Sequence, residues 1–188
     1  KKHDMVPTWL ERTELLLGGK AVEKLSQKHV LIIGLGGVGA YAAEQICRAG
    51  IGALTIADGD TIHESNINRQ LPALHSSVGQ PKAEYIGKRL LDINPNLKLT
   101  VIQEYLRDER LTALLSHKYD YVVDAIDTLS PKVFLIHDAL RFGQRVVSSM
   151  GSGGKLDPTM ARISDISESH GCPLARILRK RLHRLGIR

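Results

Sequence analysis

The stretch His29-Val30-Leu31-Ile32-Ile33-Gly34-Leu35-Gly36-Gly37-Val38-Gly39-Ala40 decides how this chain folds. A short apolar run bounded by glycines reads as a buried strand, here over 29–33. The periodic stretch over 38–49, stopped by Gly50, reads as a helix. Strand, glycine turn and helix start in this order can cradle phosphate. Glycine allows a tight turn and close backbone approach, and the helix start offers unpaired N–H groups and the positive end of its dipole. Glycines that only let a helix pack closely on a strand give the same pattern. Asp58, 19 residues after Gly39 and at the end of a second strand over 54–57, favours nucleotide binding, because a carboxylate there can accept from both ribose hydroxyls.

Outward from this unit, strand and helix keep alternating. Thr8-Trp9-Leu10-Glu11 has the form of a capping box, predicting a helix over 8–17 that Gly18-Gly19 breaks. The segment 61–79 is polar and irregular. Pro81 suits the first turn of a helix running to about 93. Further strands are expected over 97–102, 119–125 and 146–149, with a sixth over 161–166. Helices are expected over 106–117, 131–142 and 173–185. The pattern predicts an α/β fold of the Rossmann-like, doubly wound kind: a mostly parallel sheet with helices on both faces and its ligand crevice at the carboxyl ends of the strands. It predicts one domain over 1–188, with an N-terminal helical segment (8–27), a core (29–166) and a basic C-terminal helix (173–188). A helical pattern reaching the last residues leads us to expect more chain beyond them.

Composition narrows the class. Of 188 residues, 43% are hydrophobic, 24% charged and 4% aromatic, a globular balance that excludes disordered, collagenous and disulfide-stapled chains. The longest uncharged apolar-looking stretch is 14 residues, over 30–43, well short of the ~20 that a membrane span needs. Cys47 and Cys172 form no CxxC pair, which excludes a tetrahedral cysteine zinc site. Both read as free thiols in a reducing, cytoplasmic setting, Cys47 as core and Cys172 as a bystander. The eight histidines show no HxxxH or HxH spacing, so none is assigned to a metal. The formal charge of +6 lies wholly in Arg176, Arg179, Lys180, Arg181, Arg184 and Arg188; the rest of the chain is neutral. Leu174, Ile177, Leu178, Leu182 and Leu185 give that helix an apolar face for packing. Its cations are either a solvated face or a phosphate-backbone contact.

The glycine loop alone leaves the nucleotide open. A nicotinamide cofactor would explain the glycines and Asp58. Arg69 and Lys82 follow the second strand and can reach the same crevice, as groups for a triphosphate do. In Asp124-Ala125-Ile126-Asp127, a carboxylate at the end of the fourth strand can hold Mg²⁺, which takes one or two carboxylates plus phosphate oxygens. Taken singly, Arg69 and Lys82 also read as exposed charges and Asp127 as a helix cap. Their convergence favours ATP with Mg²⁺.

The glycine loop, Asp58-Gly59-Asp60, Ser65-Asn66-Ile67-Asn68-Arg69-Gln70, Val78-Gly79-Gln80-Pro81-Lys82-Ala83 and the Asp124/Asp127 pair together resemble the adenylating enzymes related to ubiquitin-activating enzymes. That superfamily includes the enzymes that adenylate sulfur-carrier proteins for thiazole and molybdopterin synthesis. The resemblance covers about 12–175. It implies that Gly34, Gly36, Gly37 and Gly39 pack against ATP, with Asp58 and Asp60 on the ribose side. It implies that Asn66, Arg69 and Lys82 hold the phosphates and that Asp127 holds Mg²⁺. It also implies a homodimer in which Arg12 reaches the partner subunit's site; from residues alone, Arg12 reads as a solvated helix position.

Within the superfamily, Gly151-Ser152-Gly153-Gly154-Lys155-Leu156-Asp157-Pro158-Thr159, Asp165-Ile166 and Pro173-Leu174-Ala175 are similar to the branch of tRNA threonylcarbamoyladenosine dehydratases. That branch implies ATP-driven ring closure on a modified adenosine of tRNA, with sulfur-relay or cysteine desulfurase-type partner proteins. One departure is Cys172, where the branch leads one to expect an acid; the chain is also shorter than usual for it. The alternatives are activation of a ubiquitin-like carrier's C-terminus, a nicotinamide-dependent oxidoreductase and a non-catalytic nucleotide-binding module. The first usually has the CxxC pair absent here, and the second leaves Arg69, Lys82 and Asp127 without a task.

Overall fold

The computed structural model describes residues 6–187; Arg188, the last cation of the basic tail, and residues 1–5 of the expected domain lie outside the described residues. Five strands form one sheet: β1 (His29–Ile33), β2 (Ala53–Ala57), β3 (Lys98–Ile102), β4 (Tyr121–Asp124) and β5 (Val146–Ser148). Their order is β3-β2-β1-β4-β5, and every pairing is parallel. Parallel neighbours need crossovers, which α3 (Gly39–Arg48), α4 (Lys82–Ile93), α5 (Asp108–Ser116) and α6 (Leu129–Arg141) provide. The order reverses between β1 and β4, the position where doubly wound sheets open a crevice at their carboxyl ends.

The two faces of β1 explain why the sheet is covered twice. Val30 and Ile32 point into a core with Ala43 and Cys47 of α3 and Ile86 and Leu90 of α4. Leu31 and Ile33 point into a second core with Leu111 and Leu115 of α5 and Leu135 of α6. Each such fully buried aliphatic side chain contributes about 1.5–3 kcal/mol. The two-residue period of a strand thus divides one apolar run between two layers. The basic helix α7 (Pro173–Arg184) lies outside α6, with Leu178 and Leu182 packed on Val133 and Ile136. Among the described residues, no helix is long and apolar enough to cross a membrane.

Two local expectations are corrected. The segment 161–166 is not a strand; Ile163 is 96% exposed, and the sheet ends at the three residues of β5. No sheet edge comes alongside this segment to pair it. The Thr8/Glu11 capping box is also absent. Thr8 instead opens a 3₁₀ turn, whose backbone bond from Leu10 N to Pro7 O (2.8 Å) leads directly into α1 (Glu11–Leu17). Gly18, at φ +84°, then separates α1 from α2 (Gly19–Ser26).

Candidate active site

The glycines divide into two kinds. A Cβ on Gly39 would lie 1.7 Å from Gly34 O and 2.9 Å from Ala125 Cβ, and Gly34 itself adopts φ +90° against Ala125 O. These two close the turn against the loop after β4, so their task is packing. Gly36 and Gly37 meet no such wall; their nearest neighbours are side-chain atoms of Gln70 at 3.6 Å and Arg69 O at 3.5 Å. Helix α3 begins at Gly39 without a side-chain cap. Ala40 N is bonded to Gly36 O at 3.3 Å, and the other N–H groups of this first turn lie beside the open Gly36-Gly37 backbone, where a helix start can receive an anion.

Asp58 ends β2 and locks this turn in place. Its Oδ2 accepts from Leu35 N at 2.6 Å and its Oδ1 from Asp60 N at 2.8 Å. The lone pairs that remain can still accept from hydroxyls. Asp60 is committed differently. Lys82, the first residue of α4, donates from Nζ to Asp60 Oδ2 at 2.9 Å, and the Tyr105 hydroxyl donates to Oδ1. Burial pushes the Asp60 carboxyl up, but the Tyr105 and Lys82 bonds outweigh it and hold it below the usual carboxylate range. The Lys82 side chain is only 4% exposed, against 44% for Asp60. Gln103 braces the pair, accepting from Ala83 N at 3.0 Å and donating to Asp60 O at 2.9 Å.

Asn66 is buried and folds back into its own turn, where its Oδ1 accepts from His63 N at 3.1 Å. That turn presents Arg69, whose stem lies over Gly37 and whose exposed guanidinium donates to Asn68 Oδ1 at 2.8 Å and Ser65 O at 3.2 Å. Beside Gly36, the buried Gln70 Oε1 has no hydrogen-bond partner. Such an acceptor beside the glycine turn can take a donor from a ligand or water.

Asp127 is exposed in the loop after β4, two residues beyond Ala125, which abuts Gly34. Asp124 is fully buried and pairs with Lys132, also fully buried, at 2.8 Å. Burial pushes the Asp124 carboxyl up despite the lysine. Lys132, Tyr105 and Gln103 enter the site from the structure alone, and Gln70, the last residue of the 65–70 motif, gains its place beside Gly36. A signal existed for Lys132, a lysine in helical phase with the apolar Leu129, Ile136 and Ala139. Among the described residues, no three His, Cys, Asp or Glu side chains converge. Asp127 is the exposed carboxylate after β4, and one such carboxylate with phosphate oxygens is the kind of donor set that Mg²⁺ takes.

The structure brings the glycine loop, Asp58, Asp60, Arg69, Lys82 and Asp127 to one end of the sheet. Arg12 is not among them. It is exposed on α1, two residues from Leu10, which packs over Gly50 at the opposite end, just before β2. The α7 cations are also apart from the crevice, and they divide among themselves. Arg179 donates to the carbonyl and hydroxyl of Ser169 and so straps the preceding loop. Arg176, Lys180 and Arg184 line a groove of about 540 Å³ against Ile166, with Arg179 also on its wall, while Arg181 is exposed outside it. Cys172 caps α7, its sulfur accepting from Gly151 N at 3.3 Å and Ala175 N at 3.4 Å. Burial raises this thiol, but these N–H groups and the nearby Lys155 outweigh it and bring it below the ordinary thiol range. The sulfur thus accepts the N–H groups that an acid at this capping position would accept, which accounts for a cysteine where an acid was expected.

The model of the ThiF family matches residues 10–184. The tRNA threonylcarbamoyladenosine dehydratase of Bacillus subtilis is 38% identical over 177 residues, which are 94% of this chain and 70% of that protein. The protein of the same name from Escherichia coli is 39% identical over 177 residues, 93% of this chain and 66% of its own length. The crystal structure of the Escherichia coli dehydratase in complex with ATP superposes with a TM-score of 0.90 at 38% identity, covering 94% of this chain and 74% of that one. The sulfur carrier protein ThiS adenylyltransferase of Escherichia coli is 34% identical over 136 residues, 71% of this chain and 54% of that protein.

Proposed function

The chain belongs to the ThiF family, and from that premise we propose that it is an ATP-dependent dehydratase that closes the threonylcarbamoyl side chain of N6-threonylcarbamoyladenosine in tRNA into a ring. The observation that carries this reading is the meeting, at one switch point, of an open glycine turn, the ribose-side Asp58, the phosphate-side cations Arg69 and Lys82, and the exposed Asp127.

Ring closure from a free carboxylate would have to expel oxide, a poor leaving group. A carboxylate oxygen of the side chain instead attacks the α-phosphorus of ATP, and the bond to pyrophosphate breaks. The acyl adenylate so formed loses AMP when a nearby atom of the same side chain attacks the activated carbonyl. The oxygen removed from the substrate leaves on AMP, so no protein nucleophile is needed. The chain's work is positioning and charge stabilisation. The Gly36-Gly37 turn and the α3 N-terminus receive phosphate, Asp58 orients the ribose, and Arg69 and Lys82 take up charge developing towards pyrophosphate. To do so, Lys82 exchanges part of its bond to Asp60 for phosphate, and the Tyr105 hydroxyl still satisfies Asp60. Mg²⁺, when held by Asp127, would draw off further charge from the phosphate oxygens.

The groove of α7 is the tRNA contact in this reading, with Arg176, Lys180 and Arg184 on the phosphate backbone and Arg179 on its wall holding the loop beneath, while Arg181, exposed outside the groove, adds to the positive charge of the helix. This groove favours tRNA over a carrier protein's C-terminus as the substrate. Arg12 is assigned to the crevice of a second copy. Helix α1 buries none of its own residues and exposes Leu15 (70%) and Leu16 (81%), an apolar surface that a homodimer would cover. AMP release is the test. It is expected with tRNA carrying the linear modification and not with unmodified tRNA. Mixing Arg12→Ala with Lys82→Ala chains should restore part of the rate if Arg12 serves the partner. AMP release independent of tRNA, or no recovery in a confirmed heterodimer, contradicts the respective assignment.

A further inference from the structure

The buried Lys132–Asp124 pair has no task in adenylation as derived above, and stability does not explain it. Burying two such ions costs several kcal/mol each, and apolar residues of similar volume often serve a core as well or better. The pair's bonds point to another role. Asp124 Oδ1 accepts from Ile126 N at 3.1 Å, and Lys132 Nζ donates to Ile126 O at 2.8 Å. The first bond fixes the peptide plane entering Ile126. The second fixes the plane leaving it, which is the peptide bond to Asp127. Ser148 Oγ donates to Asp124 Oδ2 at 2.6 Å and keeps the carboxylate from turning. Behind them, Ala125 N donates to Ile33 O and Ser149 N to Asp124 O, both at 2.9 Å. Backbone 124–126 is thereby pinned from both sides, and Asp127 is the first residue beyond the clamp.

We propose that Lys132 and Asp124 are positioning residues that fix the peptide preceding Asp127, so that its carboxylate is preorganised for a divalent cation bound to nucleotide phosphate. The inference rests on the reading of Asp127 as the metal-holding residue. Groups standing behind a ligand set its orientation, and their loss typically weakens metal affinity about 10- to 100-fold.

The test measures binding of Mn²⁺, standing in for Mg²⁺, to the ATP-loaded protein by electron paramagnetic resonance. ATP binding in EDTA and a denaturant midpoint are measured on the same samples. The double variant Asp124→Leu/Lys132→Met removes both charges together and leaves neither ion stranded. Its denaturant midpoint should fall by less than that of Lys132→Met alone, and it should keep its metal-free ATP affinity while losing about 10- to 100-fold in Mn²⁺ affinity. Asp127→Asn should lose Mn²⁺ to at least the same extent. If Asp127→Asn loses Mn²⁺ and the double variant does not, the metal reading stands and the clamp is overturned. If Asp127→Asn binds Mn²⁺ like the parent, the metal reading and the clamp both fall. Should the double variant not fold, Ser148→Ala decides, because it removes one hydrogen bond to Asp124. A loss of about two- to tenfold in Mn²⁺ affinity supports the clamp, and parental affinity overturns it.

Discussion

Lys82→Met and Lys132→Met remove the same ammonium group from two nearly inaccessible side chains, yet they should fail in opposite ways. The difference lies in the carboxylate each leaves behind. Asp124 is 0% exposed, so without Lys132 it is a stranded buried charge that must take up a proton or open the core. Breaking a pair of this kind costs about 3–5 kcal/mol. At roughly 2–4 °C per kcal/mol for a domain of this size, the midpoint should fall by about 6–20 °C. Asp60 is 44% exposed and keeps the Tyr105 hydroxyl, so water re-solvates it once Lys82 is gone. That loss is of the surface kind, about 0–1 kcal/mol, and the midpoint should move by no more than about 4 °C. Ligand response should reverse the order. ATP at a hundred times its dissociation constant stabilises the parent by about 2.7 kcal/mol. Lys82→Met should lose most of that gain and about 10²–10³ in turnover, as when a charge-stabilising donor is removed. Scanning calorimetry with and without ATP reads both effects. A Lys82→Met chain that melts as early as Lys132→Met, or one that keeps the full ATP shift, refutes the division between an active-site lysine and a clamp.

The glycines offer a parallel contrast. Gly39→Ala drives a Cβ to 1.7 Å from Gly34 O and should abolish soluble folded protein. Gly37→Ala meets nothing nearer than 3.5 Å, so it should keep the parental midpoint and lose ATP affinity in calorimetric titration. Neutralising Arg176, Lys180 and Arg184 should reduce the salt slope of tRNA binding by about two to three, close to one per lost phosphate contact; an unchanged slope returns the groove to a solvated surface. With iodoacetamide at neutral pH, Cys172 should react well before Cys47, which is fully buried and pushed up to about 11 by that burial. Mass mapping of early adducts on Cys47 would contradict this order.

The extent to which sequence revealed the molecule follows a physical rule. Strand β1 and the turn after it were readable because both signals are local: the apolar run Val30-Leu31-Ile32-Ile33 and glycines that the chain geometry demands. The crevice residues followed from strand ends, since Asp58 and Asp127 come just after β2 and β4 and a parallel sheet brings such positions together. Pairings between positions far apart in the chain were not readable. Lys82 and Asp60 lie 22 positions apart, and their pairing with Tyr105 needs β3 beside β2. Arg179 resembled its cationic neighbours until Ser169 lay beneath it. The expected strand over 161–166 failed because a short segment carries no sign of whether a sheet edge will lie beside it to pair with. Arg12 cannot be placed by its own chain at all, since the fold directs it away from the crevice.

The decisive measurement is nucleoside mass analysis of tRNA bearing the linear threonylcarbamoyl modification after incubation with the protein, ATP and Mg²⁺. Ring closure through an acyl adenylate predicts that the modified nucleoside loses the mass of one water, that AMP forms in equal amount, and that Asp127→Ala does neither. A modified nucleoside of unchanged mass beside a folded, ATP-binding protein would contradict it.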